Sequence, residues 1–419
     1  MRKNKVFKIP SRDSDDEVLI YVPSLFRLGV VSREESEDLP EYISTDGDLA
    51  LDDASFPFPP IFNSLTLHLS SACNMSCTYC YNGQNAQSCH LSAKQVENSI
   101  DYLLDHPRDK KLKIHFMGGE PTVAWESLQH AVDYAREAVS NRDTEIIFAI
   151  TSNGVWSDAQ YEYIINNISD ITISIDGPED VHNKYRKLKS GRNTYEHVFR
   201  VAKALNDIDT LNLCLSVTMA REFVERMRSI TEFLCREFPG VDIFIEALRT
   251  DNQHSNDAIV LSPDIKIFLD NYIDCLSYLR KAGFSNDISN SFVKPCGEQR
   301  TRYCGASGGN FIVSPDGIIT ACGAMTYNKS PVSNYFSFGE VHDSGILLDE
   351  DKYRRLVEWN VSNIEECNDC IARYICLGGC LARKAHLESF WSRPSCYCKE
   401  IRDAAPSYLW NQYMELAGG

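Results

Sequence analysis

The sequence predicts an α/β protein: a partial (β/α)6 barrel of TIM type followed by a smaller, cysteine-rich α+β domain. Three observations predict it. Strand-like apolar runs alternate with helix-periodic segments from residue 61 to residue 248, as the βα units of a parallel sheet do. Three cysteines crowd one loop immediately after the first of those runs, and cysteines crowd the chain again from residue 292 onward. A closed barrel needs eight βα units. Six are readable, so one side is expected to stand open and to admit a large substrate such as a peptide.

Residues 1–60 read as an N-terminal strand and linker segment, in which 5–9 and 18–22 can pair as two strands and 34–59 is acidic and proline-bearing. The barrel is assigned to 61–255. Its strands are expected at 65–70, 112–117, 145–151, 171–176, 211–218 and 241–248, and its helices at 92–104, 123–140, 158–167, 194–205 and 222–238. A bridging helix at 264–282 lies within 256–290. The cysteine-rich domain is assigned to 291–400, with a β-hairpin at 311–321 around the turn Ser314-Pro315-Asp316-Gly317. A helix at 401–415 occupies the tail, 401–419.

Composition narrows the function classes. A chain of 419 residues is long enough for one large and one small domain. Its 59 acidic against 42 basic residues give a net charge of −17, which repels phosphate backbones and makes nucleic acid an unfavourable partner. No apolar run approaches a membrane span, and the charged N-terminus contains no signal-like stretch, so a cytoplasmic location is expected. Cytosolic thiols are kept reduced, so the 16 cysteines are better explained by metal or cluster ligation than by disulfides.

Cys73, Cys77 and Cys80, spaced CxxxCxxC, can hold three corners of a cubane iron-sulfur cluster and leave one iron open. A zinc site is the alternative, with His90 near enough to be a fourth ligand. Gly118-Gly119-Glu120-Pro121 follows the second strand, Thr151-Ser152-Asn153-Gly154 the third and Ser174-Ile175-Asp176-Gly177-Pro178 the fourth. Taken singly, such loops are ordinary turns and caps.

The triplet, with the aromatic Tyr79 before its last cysteine, resembles the signature of the radical S-adenosylmethionine (SAM) enzymes, and the strand-end motifs follow in that family's order. The resemblance implies a 4Fe-4S cluster whose open iron chelates SAM. An external one-electron reductant of flavodoxin or ferredoxin type then drives cleavage to a 5′-deoxyadenosyl radical. It further implies that Gly118, Gly119 and Glu120 face the SAM ammonium, that Ser152 and Asn153 contact the ribose, and that Ser174 and Arg186 hold the carboxylate. Asp176 belongs to the SIDGP motif of the peptide-modifying subset, and Leu248 would pack near the adenine.

The second array, Cys304, Cys322, Cys367, Cys370, Cys376, Cys380 and Cys396, resembles the seven-cysteine SPASM domain, which in relatives holds two auxiliary 4Fe-4S clusters. That resemblance implies Cys304, Cys322 and Cys380 for the first cluster and Cys367, Cys370, Cys376 and Cys396 for the second. Cys296 is the chosen fourth ligand of the first, with an open iron as the alternative, and Cys398 competes with Cys396. A zinc ribbon is the bland alternative. Cys89, Cys214, Cys235 and Cys275 fit neither array, and the last three read as buried small hydrophobes. His68 and His115 sit in barrel strands, where packing is the usual role.

The expected activity is radical SAM/SPASM maturation of a ribosomally made precursor peptide, giving a thioether, C–C or C–O crosslink, cyclophane types included. Sulfatase-maturing relatives carry an aspartate base directly after the second cysteine of the array. Here Gly323 follows Cys322, which lowers the weight of formylglycine formation, and no catalytic base is visible. A small-molecule radical SAM dehydrogenase and a zinc-stapled binding protein are the rival classes. Residues 1–60 are short for a complete leader-recognition domain, so they provide an edge strand for the leader or leave its recognition to a separate protein.

Overall fold

A computed structural model of the protein describes residues 2–25, 27–45, 56–80, 88–249, 260–295, 300–327, 332–384 and 397–418. The N-terminal segment holds more structure than two strands and a linker. It contains β1 (Arg2–Lys5), β2 (Phe7–Pro10), β3 (Glu17–Val22), β4 (Arg27–Ser32), α1 (Arg33–Asp38) and β5 (Tyr42–Thr45). β2, β3 and β4 form an antiparallel sheet, and β1 pairs with β5. Ser32 and Glu35 start α1 with a reciprocal capping box, which stops β4.

The barrel follows as β6 (Ser64–His68), α2 (Ala93–Asp105), β7 (Lys111–Met117), α3 (Trp125–Val139), β8 (Glu145–Ser152), α4 (Asp158–Asn167) and β9 (Asp170–Ser174). It continues with α5 (Glu179–Tyr185), α6 (Tyr195–Asn206), β10 (Asn212–Met219), α7 (Met227–Glu237) and β11 (Asp242–Ala247). Each strand is parallel to the next from β6 to β11. The period-2 pattern sorts the side chains. Leu112, Ile114 and Phe116 of β7 are fully buried beneath the helices. Lys113 and His115 point the other way and bond across the lumen side to Asp170 at 2.5 Å and Thr151 Oγ1 at 2.9 Å.

The sheet does not stop at six strands. After α8 (Ile265–Lys281), β12 (Ile288–Asn290) adds in parallel to β11. At the opposite edge β13 (Phe311–Val313) adds in parallel to β6. The hairpin partner β14 (Ile318–Thr320) and then β15 (Ser337–His342) and β16 (Gly345–Leu348) extend this edge antiparallel, making one 11-stranded sheet. The hairpin turn closes through Gly317 N–H to Ser314 O at 2.9 Å with Gly317 at φ +82°, a conformation that glycine supplies at little cost.

Beyond the sheet come α9 (Glu350–Val357), α10 (Arg373–Cys376), α11 (Leu381–Lys384) and α12 (Cys398–Ala417). α12 starts before residue 401 and lies on α8, where Arg280 Nη1 donates to Asn411 O at 3.0 Å. Its Trp410 indole reaches Ile9 O and Pro10 O, both at 3.2 Å, so the first and last segments of the chain are packed together. No helix among the described residues is long and apolar enough to cross a membrane.

Candidate active site

Cys73, Cys77 and Cys80 leave β6 on a loop laid directly over the second strand's end. Gly119 N donates to Ser70 O at 2.8 Å and Glu120 N to Ala72 O at 2.9 Å. A Cβ on Gly119 would stand 2.3 Å from Ala72 O, and one on Gly118, at φ +145°, 2.5 Å from Ser70 O. The sequence reading gave these glycines to a ligand. In the structure they line a cavity and also admit the backbone of the cysteine loop.

Glu120 is 1% exposed and spends its carboxylate on the protein. Oε1 accepts from Thr122 Oγ1 and Ser152 Oγ, each at 2.8 Å, and Oε2 accepts from Asn153 N at 2.8 Å. Ser152 also accepts the Trp156 indole N–H at 2.7 Å. Asn153 Nδ2 donates to Asn74 Oδ1 at 2.7 Å and to Cys73 Sγ at 3.7 Å. Glu120, Ser152 and Asn153 therefore tie the second and third strand ends to the cysteine loop. Burial pushes the Glu120 carboxyl upward against these hydrogen bonds.

On the opposite wall Asp176 Oδ2 accepts from Tyr79 Oη at 2.5 Å and from Arg186 Nε at 3.1 Å, while Oδ1 accepts from Thr218 N at 3.0 Å. The Arg186 guanidinium lies 5.6 Å from the Tyr79 ring centre. Its Nε is committed to Asp176, and its two terminal nitrogens make no hydrogen bond among the described residues, which suits a carboxylate ligand. Ser174 and the buried Leu248 line the same cavity, whose volume is about 460 Å³.

The cavity's far wall contains residues that motif reading missed: Phe244, Glu246 and Arg249 from the sixth strand end, with Gly323 and Ala324 after Cys322. The signal that could have found Glu246 is its register, since Ile243, Ile245 and Ala247 are fully buried on the other side of β11.

The second array forms two groups. The thiols of Cys304, Cys322 and Cys380 lie within electrostatic reach of one another, and those of Cys367, Cys370 and Cys398 lie within reach of Cys376. The chain passes between the groups at Leu377, Gly378 and Gly379, which have φ of 54°, 78° and 79° and reverse direction between Cys376 and Cys380. Cys296 and Cys396 lie outside the described residues.

These sulfurs fit iron-sulfur ligation by donor chemistry. Cys73, Cys304, Cys322, Cys370 and Cys376 each accept a backbone N–H from the residue two further along the chain, which stabilises sulfur that has lost its proton. Cys235 and Cys275, outside both arrays, take no such backbone contact, and Cys214 takes one only across the sheet from Phe244. Burial pushes the Cys73 thiol up to about 11 and those of Cys77 and Cys304 up to about 12. Ligation must supply the positive charge that makes them thiolates. Among the described residues no three His, Cys, Asp or Glu side chains are drawn together as around a single ion.

Cys235 and Cys275 are buried, as expected of packed thiols, whereas Cys214 is half-buried. His68 and His115 are held neutral, burial lowering them to about 3 and about 4. His90 is exposed.

An open parallel barrel with a cysteine triplet over its strand ends, facing a cysteine-rich extension, defines a class of radical enzyme, and the comparisons agree. Residues 67–234 match the model of the radical SAM superfamily and form a radical SAM domain. It is 23% identical over 367 residues to a cysteine-type anaerobic sulfatase-maturating enzyme of Clostridium perfringens, covering 82% of this chain and 95% of that one. Among solved structures, His-tagged anSMEcpe with bound AdoMet superposes with a TM-score of 0.68 at 19% identity, over 86% of this chain and 96% of that one. SuiB of Streptococcus suis bound to its precursor peptide SuiA gives 0.61 at 14% identity, over 87% of this chain and 86% of that one. The radical SAM match implies SAM and a 4Fe-4S cluster as cofactors.

Proposed function

We propose that this enzyme matures a ribosomally made precursor peptide by radical crosslinking, forming a thioether, C–O or C–C bond. The observation that carries the reading is one cavity walled on one side by the triplet and the strand-end motifs and on the other by the loop after Cys322. When bound, SAM and a reduced cluster on Cys73, Cys77 and Cys80 supply a 5′-deoxyadenosyl radical. The chain's own residues do the rest. Arg186, braced by Asp176 and Tyr79, orients a carboxylate; Glu120, Ser152 and Asn153 fix the loop that carries the thiols; Leu248 offers an apolar surface.

Cys304, Cys322 and Cys380 would hold one auxiliary cluster with Cys296. Cys367, Cys370 and Cys376 would hold another, completed by Cys396 or by Cys398, which stands beside Cys376. The small sheet of β2, β3 and β4 offers edge strands for a leader. SuiB bound to its precursor peptide supports a peptide substrate. Formylglycine formation is the second reading, favoured by the 95% coverage of the sulfatase-maturating relative and disfavoured by Gly323 after Cys322.

Anaerobic reconstitution tests the proposal, with metal analysis, SAM turnover under reductant and co-expression with short open reading frames beside the gene. The expected result is about twelve irons per chain, as three cubane clusters require, with 5′-deoxyadenosine formed and a peptide lighter by two hydrogens. Bound zinc with no SAM cleavage overturns it.

A further inference from the structure

At the far wall of the cavity the Glu246 side chain is about a quarter exposed and is held by a C-terminal partner. Arg383 of α11, three residues after Cys380 and only 6% exposed, donates from Nη2 to Glu246 Oε1 at 2.6 Å and to Ala247 O at 3.1 Å. Its guanidinium also lies 4.8 Å from the Phe292 ring centre, which fixes its direction. Glu246 Oε2 has no hydrogen bond among the described residues. Buried Tyr303 is influenced by Glu246 together with the thiols of Cys304 and Cys380, so the carboxylate belongs to the same neighbourhood as the first C-terminal cysteine group. It also shares the cavity wall with Gly323 and Ala324, which bring no carboxylate of their own.

We propose that Glu246 is the base this loop lacks, and that its substrate is a residue bearing an S–H or O–H group. This deepens the maturase reading and rests on it. A cationic side chain is disfavoured, because Arg383 already neutralises the carboxylate and Arg249 adds positive charge to the same wall. A neutral thiol or hydroxyl can donate to Oε2. In the reaction the target C–H bond breaks and its hydrogen atom passes to the 5′-deoxyadenosyl radical, giving 5′-deoxyadenosine. The carbon-centred radical gives one electron to an oxidised iron-sulfur cluster. The S–H or O–H proton passes to Glu246 as sulfur or oxygen bonds to that carbon. The substrate loses two hydrogens in all. Arg383 is a positioning residue.

The test uses reconstituted full-length enzyme with SAM and blocked pentapeptides of glycine with a central cysteine, serine or alanine. Before reductant is added, the enzyme should bind the cysteine and serine peptides about tenfold more tightly than the alanine one, as one hydrogen bond to a charged group allows. Glu246→Ala should erase that preference at unchanged iron content, and Glu246→Gln, which still accepts from a hydroxyl, should keep part of it. With reductant and peptides deuterated at the glycine α-carbons, product per deuterium transferred to 5′-deoxyadenosine should fall at least about 100-fold in Glu246→Gln. Wild-type product yield in Glu246→Gln, or equal binding of all three peptides by the wild type, overturns the inference and leaves the maturase reading standing. Failure of the wild type to cleave SAM overturns both.

Discussion

Around Cys73, Cys77 and Cys80 the scaffold is complete without the thiols: the loop hangs from β6, and beneath it lie a paired sheet and the fully buried Leu65, Leu67 and Phe116. Around Cys367, Cys370 and Cys376 the thiols are part of the scaffold. The first ends a three-residue turn, the third ends a four-residue helix, and no strand connects them. Helices this short do not persist alone. The barrel thus presents thiols that it can spare, whereas the C-terminal half builds them into its short turns and helices, so that ligation by the proposed clusters there would be coupled to folding.

Paired substitutions test that contrast most severely. Cys80→Ala should reduce SAM cleavage below about one thousandth while leaving the melting temperature almost unchanged, since Cys80 is exposed and lies outside the core. Cys376→Ala, which removes a buried side chain proposed as a cluster ligand, should open residues 360–384 to hydrogen exchange and lower the melting temperature by several degrees. Equal exchange in the two variants breaks the comparison.

Acid should separate the halves in the opposite direction. His68, His115 and His182 all belong to the barrel, and burial lowers them to about 3, about 4 and about 4. Above pH 6.5 they are neutral in both folded and unfolded chains and contribute nothing to pH dependence. Between pH 6.5 and about 4 the unfolded chain takes up protons that the folded barrel refuses, so stability falls on the order of 1 kcal/mol per histidine per pH unit. Segment-resolved hydrogen exchange at pH 7 and pH 5 should show barrel strands losing protection; uniform loss would contradict it.

The smallest effect is expected at Tyr79→Phe, which deletes the bond to Asp176 and leaves the ring against Arg186. SAM affinity should weaken by a few-fold with iron content unchanged. Loss of iron would make Tyr79 part of the cluster loop's support.

Legibility in the sequence follows the same divide. The helix expected at 158–167 is α4 itself, and the strand expected at 145–151 differs from β8 by one residue, because long periodic runs record which face is buried. β13, with three residues, is too short to carry a period, so its pairing with β6 could not be read. α5 was missed because it is short and its buried face includes His182 and Asn183. The motif residues were located by resemblance to family motifs, which says nothing of where each side chain points. Glu120, Ser152 and Asn153, which the resemblance gives to a ligand, line the cavity and are also bonded to the protein. Glu246 was passed over because one carboxylate on a strand has no spacing to betray it.

The pairing of β13 with β6 limits how the protein can be taken apart. A chain cut after the barrel would leave β6, the strand that feeds the cysteine loop, as an open sheet edge with unpaired N–H and C=O groups at residues 65–67. Such an edge invites pairing with other chains. The isolated barrel should therefore aggregate, and engineering a minimal soluble version means keeping the hairpin of β13 and β14 even where every later cysteine is discarded.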